Sequence, residues 1–219
     1  MSSDPAKERL YQAIGRVAAA LGSAGRLQLL EYVAQGERSV DALAAMTGLS
    51  MANTSKHLQA LRQAGLVNAR KAGLRVYYSL GGDDVSLLLS SLRGVAEHRA
   101  ADVEKLLRTW LAHRDELDAV PAREVLARLK SGLVTLLDVR PAEEFAAGHL
   151  PGALNVPVDR LEAYLSKLPK KKEVIAYCRG PYCLMSFDAV AKLRKRGFKA
   201  KRLEDGFPEW RAAGLPVER

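Results

Sequence analysis

The sequence predicts a two-domain chain, with a mainly α-helical N-terminal domain and an α/β C-terminal domain built on a parallel sheet. The length of 219 residues suits one large domain or two small ones, at roughly 150 residues per domain. Short helical patterns fill the first part of the chain and end in a β-hairpin pattern before Gly81. After Pro121, apolar strand-like runs alternate with helical patterns, which is typical of a parallel sheet covered by helices. We therefore expect domains at residues 1–112 and 121–219.

Composition excludes several classes of protein. Hydrophobic residues make up 48% and charged residues 27%, which is ordinary for a globular chain and excludes disordered and low-complexity proteins. No apolar run approaches the ~18 residues that span a bilayer, and the first residues lack the apolar stretch of a signal peptide. We expect a cytoplasmic protein with no membrane partner.

Its two cysteines cannot form a disulfide framework, so we expect free thiols with a chemical role.

The N-terminal pattern predicts a helix-turn-helix. Ser39 is a candidate N-cap for a helix over Val40–Met46, and Gly48 is a candidate stop. Ser50 can cap the next helix, Met51–Ala64. Two short helices joined by a glycine-containing turn are typical of this motif. Strand patterns over Leu66–Arg70 and Leu74–Leu80 then predict a β-hairpin wing.

Charge along the chain points to an anionic partner for the same region. The net charge is +9, and no acidic residue lies between Asp41 and Asp83. A basic segment without counter-charge is typical of proteins that bind a polyanion. The alternative is a solvated basic surface.

A long helical pattern runs from about Asp84 to Trp110, which would make a helix about 40 Å long. Such a helix is long for the core of a small domain. A partner helix from a second subunit would explain its apolar stripe, so we expect a homodimer. The alternative is a helix buried within its own chain. The stripe comprises Val85, Leu88, Leu92, Val95, Val103, Leu106 and Trp110.

The C-terminal domain carries both cysteines in one loop. Strands are predicted at Leu133–Leu137, Ala153–Val156, Val174–Tyr177 and Phe198–Leu203, with helices at Ala122–Lys130, Val158–Leu168 and Leu184–Arg196. The loop Cys178-Arg179-Gly180-Pro181-Tyr182-Cys183 follows the third strand and runs into a helix N-terminus, where backbone amides and the helix dipole stabilise an anion such as a thiolate.

Arg179 adds a positive charge to this loop, and Gly180 and Pro181 allow its backbone to curl. The alternative is that the two cysteines are small buried apolar residues. A cysteine phosphatase is excluded, because that chemistry needs an arginine six residues after the nucleophile and residue 184 is Leu.

Pro121 to Arg219 resembles the rhodanese family of sulfurtransferases. The motifs that carry the resemblance are Leu137-Asp138-Val139-Arg140 followed by Glu144-Phe145, Gly148-His149-Leu150-Pro151-Gly152-Ala153, Asn155-Val156-Pro157, Tyr177-Cys178-Arg179-Gly180, Gly206-Phe207-Pro208-Glu209-Trp210 and Gly214-Leu215-Pro216-Val217. The resemblance implies a persulfide on Cys178, cradled by the backbone amides of residues 179–183, and a small sulfur donor as partner. It implies that Asp138 and Arg140 are scaffold residues beneath the loop.

Two features of the loop depart from many members that use thiosulfate. Arg179 is its one basic residue, whereas those members have more cationic loops. Cys183 ends the loop and can either resolve a Cys178 persulfide into a disulfide or serve as a small packing residue.

The N-terminal ~110 residues resemble ArsR-type winged-helix repressors, which are dimeric regulators that bind double-stranded DNA. The resemblance lies in Ser39–Met46, Leu49–Leu58, Leu61–Val67 and the wing Arg70–Tyr78. It implies that residues 51–64 form the recognition helix. Candidate base contacts are Met51, Ala52, Thr54, Ser55 and His57, and candidate phosphate contacts are Lys56, Arg62 and Arg75. The alternative is a winged helix that binds a protein.

No metal site or cofactor is predicted. The helix before the recognition helix, Val40–Met46, holds neither Cys nor His, although many relatives sense metals there. His98 and His113 on the long helix can be an inter-subunit zinc site or surface histidines, and their spacing is not a tight ligand motif.

The leading hypothesis is a dimeric DNA-binding regulator whose rhodanese domain carries or senses reactive sulfur at Cys178. The first alternative is a sulfurtransferase enzyme with an uncoupled winged helix. The second is a regulator whose rhodanese module serves for docking.

Overall fold

The computed structural model describes residues 4–111 and 119–219. By its internal packing the chain divides after Val85 into two compact units, which are described separately. The predicted boundaries at 112 and 121 stay a prediction, because residues 112–118 lie outside the described part of the chain.

The first unit is mainly α-helical, as predicted, with a small antiparallel sheet of order β1-β3-β2. Its elements are α1 (Pro5–Leu21), α2 (Ala24–Ala34), β1 (Arg38–Ser39), α3 (Val40–Thr47), α4 (Met51–Gln63), β2 (Val67–Ala72) and β3 (Arg75–Leu80). The hairpin β2–β3 is the predicted wing. The short strand β1 was not predicted, because two residues carry no recognisable alternation, and it pairs with β3.

The predicted helix-turn-helix is confirmed, together with its local signals. Ser39 and Ser50 are the N-caps of α3 and α4, and their hydroxyls accept hydrogen bonds from Ala42 N and Asn53 N at 3.3 Å. Gly48 ends α3 with φ of 71°, in the left-handed region that favours glycine.

The predicted long helix is two helices. The first is α5 (Asp83–Arg99), which begins three residues after the wing, and the second is α6 (Ala101–Leu111). The charges at the break explain it, since His98 and Arg99 end α5 whereas Asp102 and Glu104 begin α6. Basic residues stabilise a helix C-terminus and acidic residues stabilise an N-terminus, so this sequence favours one helix ending and another starting.

The second unit contains a five-stranded parallel sheet of order β4-β8-β7-β5-β6. Its further elements are β4 (Ala119–Val120), α7 (Ala122–Lys130), β5 (Val134–Asp138), α8 (Ala142–Ala147), β6 (Leu154–Asn155), α9 (Leu161–Tyr164), a 3-10 turn (Leu165–Lys167), β7 (Glu173–Tyr177), α10 (Leu184–Lys195), β8 (Ala200–Leu203) and α11 (Phe207–Ala212). The sequence pattern missed β4 and treated its residues as a polar bridge. Val120 is nevertheless buried and pairs with Leu203.

The two faces of this sheet are filled by alternate residues of the same strands. Leu137, Ala176 and Cys178 lie in one buried cluster. Leu136, Ile175 and Tyr177 lie in the other, which also contains the buried Trp210. Burial on both faces explains the continuous apolar runs of β5 and β7. Among the described residues, none of the helices is long and apolar enough to cross a membrane.

Candidate functional site

The cysteine loop begins at the carboxyl end of β7, beside the end of β5. Tyr177 is in register with Asp138, and Val139 N donates a hydrogen bond to Tyr177 O at 3.2 Å. Cys178 follows directly and is 1% exposed. The carboxyl edge of a parallel sheet is where such folds bind ligands, so the fold places Cys178 where the sequence predicted it.

Cys178 and Cys183 form a disulfide in this structure, with their Cα atoms 6.2 Å apart. The expectation of two free thiols is therefore wrong for the state described. The loop folds back because Cys183 N donates to Gly180 O at 3.1 Å, which brings the two cysteines within bonding range. Cys183 also packs against the buried cluster that contains Cys178. That Cys183 resolves a Cys178 persulfide stays a prediction.

The predicted cradle of five backbone amides is smaller than expected. Pro181 has no N–H, and the amide of Cys183 already donates within the loop. At most the amides of Arg179, Gly180 and Tyr182 remain for a bound sulfur atom. The loop leads into α10, a helix of 12 residues whose N-cap is Cys183, so the helix dipole does act at the loop as predicted.

Arg179 is anchored by a buried carboxylate. Its Nη2 lies 2.7 Å from Glu144 Oε1, and its Nε contacts both carboxylate oxygens. The side chain of Glu144 is 1% exposed. The charge of Arg179 is therefore largely neutralised by Glu144, rather than directed at Cys178. Arg179 fastens the loop to α8. The sequence placed Glu144 among the residues that carry the rhodanese resemblance but did not identify it as the partner of Arg179, which lies 35 positions away.

Asp138 and Arg140 form a fully buried ion pair under the loop. Arg140 Nη2 lies 2.6 Å from Asp138 Oδ2 and also donates to Gly148 O at 2.8 Å. The Arg140 guanidinium lies over the ring of Phe207 at 4.4 Å. These contacts favour the predicted scaffold role.

Gly206, to which the sequence assigned no individual role, supports the loop from behind. Its neighbour Phe207 donates its N–H to Cys178 O at 3.1 Å. A Cβ atom on Gly206 would lie 2.3 Å from Gly180 N and 2.4 Å from the carbonyl carbon of Arg179. No side chain fits there, because the obstructing atoms are backbone.

Gly206→Ala is expected to slow sulfur uptake at Cys178 by at least about tenfold, because the methyl group must displace the loop backbone. Such overpacking typically costs about 1–3 kcal/mol of stability. Intact mass against time after addition of a persulfide measures the first effect, and urea unfolding measures the second. Gly15→Ala is the control, since a Cβ there has no neighbour within 4 Å. Uptake at the wild-type rate in Gly206→Ala would contradict the role given to this glycine.

Tyr182 connects the loop to α5 and α6. Its hydroxyl donates a hydrogen bond to Glu97 Oε1. Burial and this contact with Glu97 raise the pKa of Tyr182, so the phenol stays protonated as a donor at neutral pH. The ring of Trp110 lies 6.4 Å from the Tyr182 ring at 56°. The sequence placed Tyr182 in the loop but offered no signal for its partner, which lies 85 positions away.

The predicted DNA-binding residues are partly brought together on α4. Met51, Ala52, Lys56 and Arg62 are exposed, and Ser55 is half-buried. Thr54 is a correction: it is fully buried, and its hydroxyl donates to Ser50 O at 3.0 Å, so it faces the core rather than a groove.

His57 is half-buried on the same helix, and a Cβ on Gly25 would lie 3.4 Å from its Nε2. His57 therefore packs close to α2, which favours the packing role. Among the described residues, no group of three or more His, Cys, Asp or Glu is arranged to hold an ion. His113 lies outside those residues.

The wing presents its arginines differently. Arg75 is exposed and lies at 3.9 Å from Asp41, a long and solvent-screened contact. Arg70 is held by Glu37 in a two-pronged ion pair, at 2.5 Å and 3.0 Å. Of these two arginines, Arg75 therefore has the less compensated charge. A contact between Arg75 and a phosphate, as predicted, requires this.

Two family profiles match the chain. The profile of bacterial regulatory proteins of the arsR family matches residues 23–69, and the rhodanese-like domain matches residues 121–213. The HTH-type transcriptional regulator Rv0324 of Mycobacterium tuberculosis is 45% identical over 212 residues, which cover 97% of this chain and 93% of that protein. A sulfurtransferase of Allochromatium vinosum is 32% identical over 104 residues, which cover 47% of this chain and 94% of that protein.

Solved structures resemble each part of the chain. The homodimeric winged helix-turn-helix DNA-binding domain of a Mycobacterium bovis protein is 39% identical, with a TM-score of 0.42; the match covers 47% of this chain and 94% of that one. A rhodanese-related protein of Thermoplasma volcanium is 26% identical, with a TM-score of 0.42; that match covers 46% of this chain and 96% of the other.

Proposed function

Because this chain belongs to the ArsR family of winged helix-turn-helix transcription regulators and carries a C-terminal rhodanese domain, we propose that it is a homodimeric repressor whose DNA affinity responds to reactive sulfur at Cys178. One observation carries the sulfur part of this proposal. Both cysteines of the sequence lie in one loop and are bonded to each other there. The thiol chemistry of the chain is therefore confined to the rhodanese domain.

The chemistry needs only a small persulfide, RSSH, as donor. The Cys178 thiolate attacks the outer sulfur, giving Cys178–S–SH and releasing RS⁻. The Cys183 thiolate then attacks the inner sulfur of that persulfide and releases HS⁻, which leaves the Cys178–Cys183 disulfide. Atoms and electrons balance, because the sulfur that was transferred leaves as hydrosulfide.

Dimerisation is proposed through the exposed apolar residues of α5. Leu88, Leu92 and Val95 recur at helical spacing and are 40%, 38% and 61% exposed. A row of apolar side chains left open on one chain is the surface that a second copy would cover.

Leu92→Glu is expected to convert the dimer to a monomer and to abolish DNA binding, because a charge would be buried in the interface. Sedimentation at micromolar concentration measures the first effect and a duplex titration the second. Leu133→Glu is the matched control, since Leu133 is also an exposed leucine but precedes β5 and does not belong to α5. A dimeric Leu92→Glu, or a monomeric wild type, would remove this interface from consideration.

Binding of duplex DNA is expected to depend strongly on salt. If a dimer neutralises about six phosphates, the logarithm of affinity falls with the logarithm of salt concentration at a slope near about −5. Arg75→Ala is expected to weaken binding and flatten that slope. Arg196→Ala, a similarly exposed arginine of the second unit, should leave the slope unchanged. A slope near zero in the wild type would count against DNA as the partner.

The sensing proposal is tested by titrating one duplex with two states of the wild-type protein. The duplex is selected from a random pool by the reduced protein, and the second state is made with glutathione persulfide. We expect a change in affinity of about tenfold, which needs only about 1.4 kcal/mol of coupling between the sites. Equal affinities, in samples whose masses show that the loop has reacted, would overturn the sensor.

The second candidate is a sulfurtransferase whose winged helix is not coupled to the reaction. The similarity to the Allochromatium vinosum sulfurtransferase, over 94% of that protein, favours it. Catalytic turnover of persulfide with unchanged DNA affinity is the result that would support this candidate over the sensor.

A further inference from the structure

Within the second unit, helix α5 makes one contact with the cysteine loop and one with α11, which packs beside that loop. At the first, the Tyr182 hydroxyl donates to Glu97. At the second, Arg93 forms an ion pair with Glu209 of α11, and the side chains of this pair are 25% and 10% exposed. Both contacts join positions far apart in sequence, and both end on elements that build the cysteine site.

The Arg93 contact reaches the loop through α11. Glu209 also accepts a hydrogen bond from Gly206 N at 3.1 Å, which fixes the start of that helix. Gly206 is in close contact with the loop backbone, and Phe207 N donates to Cys178 O. Through these three residues, α5 is tied to the peptide unit of Cys178 itself.

The same helix carries its exposed apolar residues on the opposite side. At 3.6 residues per turn, Arg93 and Glu97 lie one turn apart on one face. Leu88, Leu92 and Val95 fall on roughly the other face, and they are the residues proposed to meet a second copy. One helix thus contacts the cysteine loop with one face and presents the proposed dimer surface with the other.

Tyr182 lies in the segment of chain that the Cys178–Cys183 bond closes. It lies between the two cysteines and directly precedes Cys183, so closing the Cys178–Cys183 bond restricts its backbone. In the reduced loop Cys183 is not bonded to Cys178, so Tyr182 lacks that restriction until reaction with a persulfide closes the bond. The free energy of the Tyr182–Glu97 contact then differs between the two states. Such a difference is what coupling requires.

We propose that Tyr182 and Glu97 relay the sulfur state of the cysteine loop to α5, and through this helix to the dimer surface. This inference rests on the proposed function and names its route of regulation. Tyr182 acts here as a positioning residue, through Glu97, and not as a group that reacts with sulfur.

The test compares the wild type with Tyr182→Phe, which removes one hydroxyl and keeps the ring beside Trp110. Glu97→Gln is the second variant, because it keeps an acceptor oxygen but removes the charge. Tyr164→Phe is the control, since it removes a hydroxyl from α9. Each protein is reduced or treated with glutathione persulfide, its mass is recorded, and both states titrate the duplex selected by the reduced wild type.

The DNA affinities of these four proteins test the proposal. We expect Tyr182→Phe to reach the same masses as the wild type while the ratio of its two DNA affinities falls from about tenfold to less than about twofold. Glu97→Gln should reduce the ratio in the same direction, and Tyr164→Phe should keep it. A full ratio in Tyr182→Phe would overturn the relay and leave the sensor standing. A ratio of one in the wild type would overturn the sensor, and the relay with it.

A fluorescence readout keeps the test independent of DNA. Trp110 lies beside Tyr182 and is 47% exposed, whereas Trp210 is fully buried. The relay predicts that persulfide treatment changes Trp110 emission in the wild type, and that the change is smaller in Tyr182→Phe. Unchanged emission in a wild type that has reacted would also refute it.

Discussion

Replacing Cys178 with serine is expected to abolish the uptake of sulfane sulfur. The serine hydroxyl is not a thiolate at neutral pH and cannot form a persulfide, so the gain of about 32 Da per sulfur atom should vanish. The other cysteine is not expected to substitute, because Cys183 lies at the opposite end of the loop, as the N-cap of α10, whereas Cys178 directly follows β7. Intact mass spectrometry after treatment with glutathione persulfide measures the effect.

Cys183→Ala supplies the complementary variant. Without a second thiol the persulfide on Cys178 has no partner in the chain, so the gain of about 32 Da should persist, whereas the wild type should proceed to the disulfide and lose about 2 Da. A persistent gain of sulfur in Cys178→Ser equal to that of Cys183→Ala would show that the protein reacts elsewhere. A wild type that keeps its added sulfur would assign Cys183 to packing alone.

Replacing Arg140 with methionine is expected to cost about 3–5 kcal/mol in the free energy of unfolding of the second unit, because it leaves a buried carboxylate without its partner. Both side chains of the Asp138–Arg140 pair are 0% exposed. The lost guanidinium also packs against Phe207 and donates to Gly148 O. Urea unfolding followed by the fluorescence of Trp210, in a Trp110→Phe background, reports on this unit.

A second substitution separates the charge from the packing. Asp138→Asn keeps an oxygen that can accept the hydrogen bond from Arg140 N and removes the negative charge. Combined with Arg140→Met, it should restore part of the lost stability, because no unpaired charge then remains buried. A double variant less stable than Arg140→Met would mean that shape, not charge, dominates here.

Local signals explain why much of the fold is predictable from the sequence. Ser39 and Ser50 are N-caps because a hydroxyl before a helix can accept from the first free amides, whatever surrounds it. The apolar runs of β5 and β7 predict buried parallel strands for an equally local reason. Ala100 shows where such signals can conflict. Apolar spacing alone predicts one helix running through Ala100, whereas the charged residues on its two sides mark the end of one helix and the start of the next.

The errors at the candidate sites have two physical origins. Thr54 lies four residues before Leu58 and seven before Leu61, both buried, so helical phase alone would have placed it in the core. The contacts of Arg179 with Glu144 and of Tyr182 with Glu97 are different, because they join residues 35 and 85 positions apart. No periodicity or spacing encodes such pairs, since they arise only when the sheet brings distant segments together.

The pairing of Arg179 with Glu144 has a consequence for which molecules can interfere with the loop. A guanidinium without a partner attracts small oxyanions, so sulfate or phosphate would compete with a persulfide at such a site. Here that cation is already satisfied within the fold. The cysteine pair is then surrounded by backbone groups. We expect its reactivity towards a donor to depend on the strength of the donor's sulfur–sulfur bond more than on the donor's charge. We therefore expect sulfate and phosphate to compete with a persulfide for this loop less than they would at a free guanidinium.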